Sequence, residues 1–161
     1  MSFEAVKAFF VDQGLGDRVM ELERSSATVE EAAAAIGCAP RQIAKTMSFF
    51  VEERPVLIVT AGDAKVDNGK FKAQFHQKAK MIPGDQVEAA VGHAPGGVCP
   101  FVRHEEAAVY LDVSLRRFEE VYPAAGNAHS AVRLTLGELE NCSGFTAWVD
   151  VCKGWMEEKE P

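Results

Sequence analysis

The chain has 161 residues, 47% of them hydrophobic and 25% charged, and a net charge of −7. That length suits one domain, residues 1–161, with a core of its own, and the acidic balance excludes a protein that coats nucleic acid nonspecifically. No apolar run approaches the ~18 residues of a membrane span, and the start "MSFEAVKAFF" has neither the basic region nor the cleavage site of a signal peptide, so a cytoplasmic protein without a membrane partner is expected.

Ser2 is placed to cap a first helix in which Phe3, Val6 and Phe10 share one face, and Gly14 and Gly16 end it. "VMELER", 19–24, alternates as a strand does. Thr28 and Glu31 form a capping box ahead of an alanine-rich helix that Gly37 closes, and Pro40 opens a short helical turn. Two β-rich runs, 45–51 and 55–61, flank the polar "EERP" and predict a hairpin. The unbroken apolar "LIVT" makes its second strand central, covered on both faces.

Asp67 is expected to cap a lysine-rich helix, "KMI" to form a short strand, and Asp85 to cap a helix that Gly92 ends. A strand follows at 107–112, then a second hairpin, 118–126 with 129–135, turning at Gly126-Asn127. Thr135 with Glu138 makes another capping box, and "TAWVDVC" a last strand. Strands and helices mix without strict alternation, which predicts an α+β fold.

Familiar chemistry is absent as motif. There is no G-x-S-x-G, H-E-x-x-H, G-x-G-x-x-G or P-loop, and the four histidines are scattered, so neither a metal nor a cofactor is expected. Cys38, Cys99, Cys142 and Cys152 form no C-x-x-C pair and read as reduced thiols, with Cys99 more plausibly buried and inert than reactive. Lys45, among apolar neighbours, is either an exposed strand-end residue or a cation held beside a pocket. Gly62 and Asp63 follow the central strand, a common place for sites.

"GGVCP" offers bare amides at Gly96 and Gly97 that can receive an oxyanion, unless the glycines merely serve a turn. Lys65, Lys70 and Lys72 belong to a basic stretch that is either a solvated face or a phosphate-contacting patch. His129 lies beside the second hairpin turn, where a lone histidine is either structural or near a ligand.

In their order, "IAKTMSFF", "LIVTAGDAKVD", "GHAPGGVCPF", "VYLDVSL" and "VYPAAGNAHSAVRLT" resemble the YbaK/EbsC family, related to the editing domain inserted in bacterial prolyl-tRNA synthetases. The resemblance covers residues 25–141. It implies a curved, barrel-like mixed sheet surrounded by helices, and hydrolysis in trans of a mischarged aminoacyl-tRNA, tRNA(Pro) carrying Cys, Ala or a similar small amino acid. Its implied partners are the 3′ acceptor end of that tRNA and prolyl-tRNA synthetase.

By the same resemblance Lys45 lies near the terminal adenosine, with Thr46 beside it. Gly96, Gly97, Val98, Cys99 and Pro100 match the loop that shapes the amino-acid pocket, and His129 matches a histidine near the substrate. Gly62 and Asp63 fall in shared substrate-binding segments. Lys65, Lys70 and Lys72 would contact the tRNA. Gly97→Val is expected to block the site with little loss of stability. The other reading of the same pocket is a non-catalytic module that holds a nucleotide, a tRNA 3′ end or a protein partner.

Overall fold

Apolar and β-branched residues concentrate between Ile43 and Ala61, and the sheet is built outward from them. The computed structural model describes residues 2–155. In chain order these form α1 (Ser2–Asp12), β1 (Val19–Glu21), α2 (Val29–Ile36), β2 (Ile43–Val51), β3 (Arg54–Ala61), β4 (Lys65–Val66), α3 (Asn68–Phe75) and α4 (Gly84–Val91). Then come β5 (Ala108–Asp112), β6 (Glu120–Pro123), β7 (Ser130–Val132), β8 (Leu134–Thr135), α5 (Leu136–Ser143), β9 (Ala147–Val149) and β10 (Cys152–Lys153). Tight 3₁₀ turns occupy Gly16–Arg18, Pro40–Gln42 and Val113–Arg117.

The principal sheet has six strands in the order β8-β6-β2-β3-β5-β9 and curls into a half-barrel with helices around it, the expected α+β architecture. The β2–β3 hairpin forms, with Lys45 opposite Thr60. β3 lies centrally, flanked by β2 and by the parallel β5, and its residues from Val56 to Ala61 are all buried. The turn is tighter than "EERP" suggests. Arg54 and Pro55 already belong to β3, and Glu52 and Glu53 alone make the bend, both at positive φ (52° and 69°). Gln77 clasps it, accepting from the Glu52 amide and donating to the Phe50 carbonyl. Among the described residues no helix is long and apolar enough to cross a membrane.

Several local expectations change in context. Ser2 is the first residue of α1 and its hydroxyl donates to the Gly92 carbonyl (3.2 Å), tying that helix to the loop after α4 instead of capping it. Thr28 caps α2, but Glu31 turns to accept from Ser25, so only half of that capping box forms. The box at Thr135 and Glu138 is complete. α4 begins after Pro83, with Asp85 in its first turn rather than at its cap. "KMI" contributes a single bridge, Phe49 to Met81. The basic stretch is not one helix: Lys65 lies on β4, and only Lys70 and Lys72 lie in α3.

The second hairpin closes only at its far end, where β6 pairs with β8. β6 also pairs with β2 in parallel, while β7 leaves to pair with β1, so residues 124–129 make a wide turn instead of a tight one. The tail divides into β9 and β10 because Val151 is pinned between them. Its amide donates to the Asp112 carboxylate (2.9 Å) and its carbonyl accepts from the Asp67 amide (2.8 Å). Asp112 is fully buried, and its other oxygen accepts from the Ser114 amide (2.9 Å). Asp112→Ala would strand both amides in the interior, so its unfolding midpoint in urea should fall by the equivalent of about 2–5 kcal/mol, with Asp112→Asn intermediate.

Candidate functional site

A pocket of about 330 Å³ opens between the start of β2, the N-terminal half of α2, and the ends of β6 and β7. Its walls are mostly small. Ala27, Ala32, Ala44, Ala124 and Ala131 leave space that larger side chains would fill. Ala32 serves twice, since it also packs with Ala33 on Ile43 in a small second core.

Of the residues singled out from sequence, Lys45, Thr46, Gly96 and Val98 meet at this pocket. Lys45 is half-buried on β2, and removal from water holds its amine below the usual lysine range, against the opposing pull of Asp63 and Glu30. Among the described residues no carboxylate lies within ion-pairing distance of it. The nearby Asp63 is engaged elsewhere, gripped on both oxygens by Arg117, and that pair is itself largely buried. Lys45 is thus a partly desolvated cation with no direct counterion. Thr46 Oγ1 is buried without a hydrogen-bond partner among the described residues.

The other candidates lie outside the pocket wall. Gly62 is bare because a Cβ there would come within 2.0 Å of the Pro40 carbonyl, so its small size serves packing. His129 is exposed, and its amide donates to the Asn127 side chain. Lys70 donates to Asp150 and to the Cys152 carbonyl, whereas Lys65 and Lys72 are exposed. Ser26, Thr28, Met47, Tyr122 and Ser130 line the pocket without having been singled out. No motif marks them as site residues, Thr28 being legible only as a helix cap, because a wide turn and a strap from the other end of the chain bring them together.

The two glycines of "GGVCP" part company. Gly97 is buried, and a Cβ there would lie 2.5 Å from the Asn127 Cα and 2.7 Å from the Gly126 carbonyl carbon. Its amide already donates to Ala94 (3.0 Å). Gly96 sits at φ +89° on the pocket wall, and among the described residues no protein acceptor takes its amide. Gly96 therefore lines the pocket with an unengaged amide, and the second glycine keeps the loop against the neighbouring turn.

Beneath the loop, Cys99 is fully buried beside His93, whose Nε2 lies 2.7 Å from the Phe101 carbonyl. Burial pushes the Cys99 thiol up to about 12. Pro100 is buried as well, and its carbonyl accepts from Arg103 (3.3 Å). Among the described residues no His, Cys, Asp or Glu lines the pocket, so it holds no nucleophile–base pair built on those side chains.

Residues 23–142 match the family described as the aminoacyl-tRNA editing domain. The chain is 47% identical over 156 residues to the uncharacterized protein YwhH of Bacillus subtilis (strain 168), covering 96% of this chain and 99% of that protein. It is 30% identical over 124 residues to a proline–tRNA ligase of Desulfovibrio desulfuricans (strain ATCC 27774 / DSM 6949 / MB), covering 77% of this chain but 21% of the ligase. The crystal structure of a candidate trans-editing enzyme for prolyl-tRNA synthetase matches with a TM-score of 0.83 and 30% identity, over 95% of this chain and 98% of that one.

The packing of the loop reverses one expectation. Gly97→Val drives a side chain into the 126–127 backbone, and should cost roughly 3 kcal/mol or more in thermal or urea unfolding. In native protein treated with iodoacetamide, the half-buried Cys38 and Cys142 should be alkylated first, and the buried Cys99 and Cys152 only on unfolding, as read by mass spectrometry.

Proposed function

This chain belongs to the aminoacyl-tRNA editing domain family, and from that premise we propose that it hydrolyses, in trans, the ester of a mischarged tRNA, tRNA(Pro) bearing Cys, Ala or a similarly small amino acid. The observation that carries the reading is the meeting of Lys45, a cation without a direct counterion, and the unengaged Gly96 amide at one small, alanine-lined pocket.

The chemistry asks little of the protein. An aminoacyl ester is activated, so positioning and stabilisation of developing charge supply most of what is needed. Water adds to the carbonyl carbon, the bond to the ribose oxygen breaks, and that oxygen takes up the proton. Lys45 holds the terminal phosphate or orients the ester. The Gly96 amide receives the negative charge that gathers on the carbonyl oxygen.

The pocket serines are poor nucleophiles, because the Ser26 hydroxyl donates to the Ser130 carbonyl and the Ser130 hydroxyl to the Asn127 carbonyl. The ribose 2′-hydroxyl or the substrate's own side chain then assists the attacking water. A synthetase rejects a smaller or near-isosteric amino acid by only about 1–3 kcal/mol, which gives a second sieve its purpose. Lys65 and Lys72, both exposed, are read as contacts for the acceptor stem, with a contribution that falls as salt rises.

The absence of His, Cys, Asp and Glu from the pocket lining, among the described residues, favours one other reading, a module that binds the same tRNA end without turning it over. Deacylation of Ala-, Cys- and Ser-tRNA(Pro), beside Pro-tRNA(Pro), separates the two. Release of a small amino acid, reduced at least about 100-fold in Lys45→Ala while the circular dichroism spectrum is unchanged, supports hydrolysis. Binding without release supports the module. After subtraction of uncatalysed hydrolysis, kcat/KM should fall as pH rises through the Lys45 pKa, which burial sets below the usual lysine range.

A further inference from the structure

Three separate segments frame the mouth of the pocket: the strap 22–28 before α2, the loop carrying Gly96, and the turn 124–129. Two serines join the first and the third. Ser130, 1% exposed, gives its amide to Ser26 Oγ (3.1 Å), and its carbonyl accepts from the same hydroxyl (3.2 Å). Its own hydroxyl accepts from the Ala125 amide (3.3 Å) and donates to the Asn127 carbonyl (3.3 Å). Ser26, 8% exposed, adds a backbone bond to the Ala128 carbonyl (2.6 Å).

The Gly96 loop leans on the same turn. Gly97 abuts Gly126 and Asn127, and a Cβ on Gly96 would meet Ala128 and Ala27 at 3.3 and 3.5 Å. Both hydroxyls are engaged in these bonds, and neither is left free for chemistry.

We propose that Ser26 and Ser130 are positioning residues whose interlocked hydrogen bonds set the width of the pocket mouth, and that this fixed width admits a small aminoacyl group while excluding prolyl. The selectivity half of this rests on the editing reading above; the clamp itself does not. Ser26→Ala releases the strap, and Ser130→Ala releases the turn while keeping the backbone contacts to Ser26, so the two variants loosen different walls.

The test joins two measurements. Amide hydrogen exchange should quicken about tenfold at the strap in Ser26→Ala and at the turn in Ser130→Ala, with β3 unchanged in both. Discrimination between the preferred small aminoacyl-tRNA(Pro) and Pro-tRNA(Pro), as a ratio of kcat/KM, should drop about tenfold through a rise on the prolyl substrate. Thr135→Ala, which removes the cap of α5, is the control for general destabilisation and should alter neither readout.

Unchanged exchange at the mouth in both serine variants overturns the clamp. Quickened exchange with discrimination intact overturns its role in selectivity. A wild-type protein that deacylates none of the tRNAs overturns the editing reading and the selectivity role with it, while mouth exchange still decides the clamp.

Discussion

The closest contact on which the pocket depends is between two stretches of backbone. Gly97 lies so near Gly126 and Asn127 that no side chain fits between them, and Gly126 in turn admits none against the first residues of α1. The N-terminal helix, the wide turn and the glycine loop therefore stack with bare main chain at each junction. Close packing of this kind leaves little freedom for relative movement, since interiors near crystal density transmit displacement. Gly96 lies on the pocket wall beside these junctions, close to Ala27 and Ala128.

A second constraint is electrostatic. A buried carboxylate near Lys45 would ordinarily pair with it and neutralise the site. Here Asp63 is held on both oxygens by Arg117, whose guanidinium also lies over the rings of Phe118 and Trp155. Arg117 is suited to that task because its planar fork matches a carboxylate while its faces accept aromatic contact. The pairing leaves Lys45 with distant influences only, and an anion entering the pocket meets a cation that burial has already partly stripped of water.

The pocket also accounts for the economy of the chain's chemistry. Its hydroxyls at Ser26, Ser130 and Thr28 hold backbone in place, and its apolar walls are short. Such a cavity is small and carries one cation, Lys45. The chain is similar to about a fifth of a proline–tRNA ligase, and to a candidate trans-editing enzyme of nearly the same extent as itself.

Local sequence determined the parts that depend on near neighbours. The apolar run of β3, the Asp67 cap of α3, the full capping box at Thr135 and the β2–β3 hairpin are set by spacing within a few residues, and all four form. The order of the motifs also disclosed the family, and with it Lys45 and Gly96 as residues of one pocket. Tertiary structure alone decided what depends on partners far along the chain. β7 leaves its hairpin because β1 is there to pair with it, and the tail strand breaks because Asp112 and Asp67 take hold of Val151. Gly97 resembled Gly96 in sequence, and only the backbone of residues 126–127 against it separates a packing glycine from a pocket amide. Ser26 and Ser130 are 104 positions apart and carry no motif, so their mutual bonds exist only once the fold has closed the loop between them, at an entropic cost that no local pattern records.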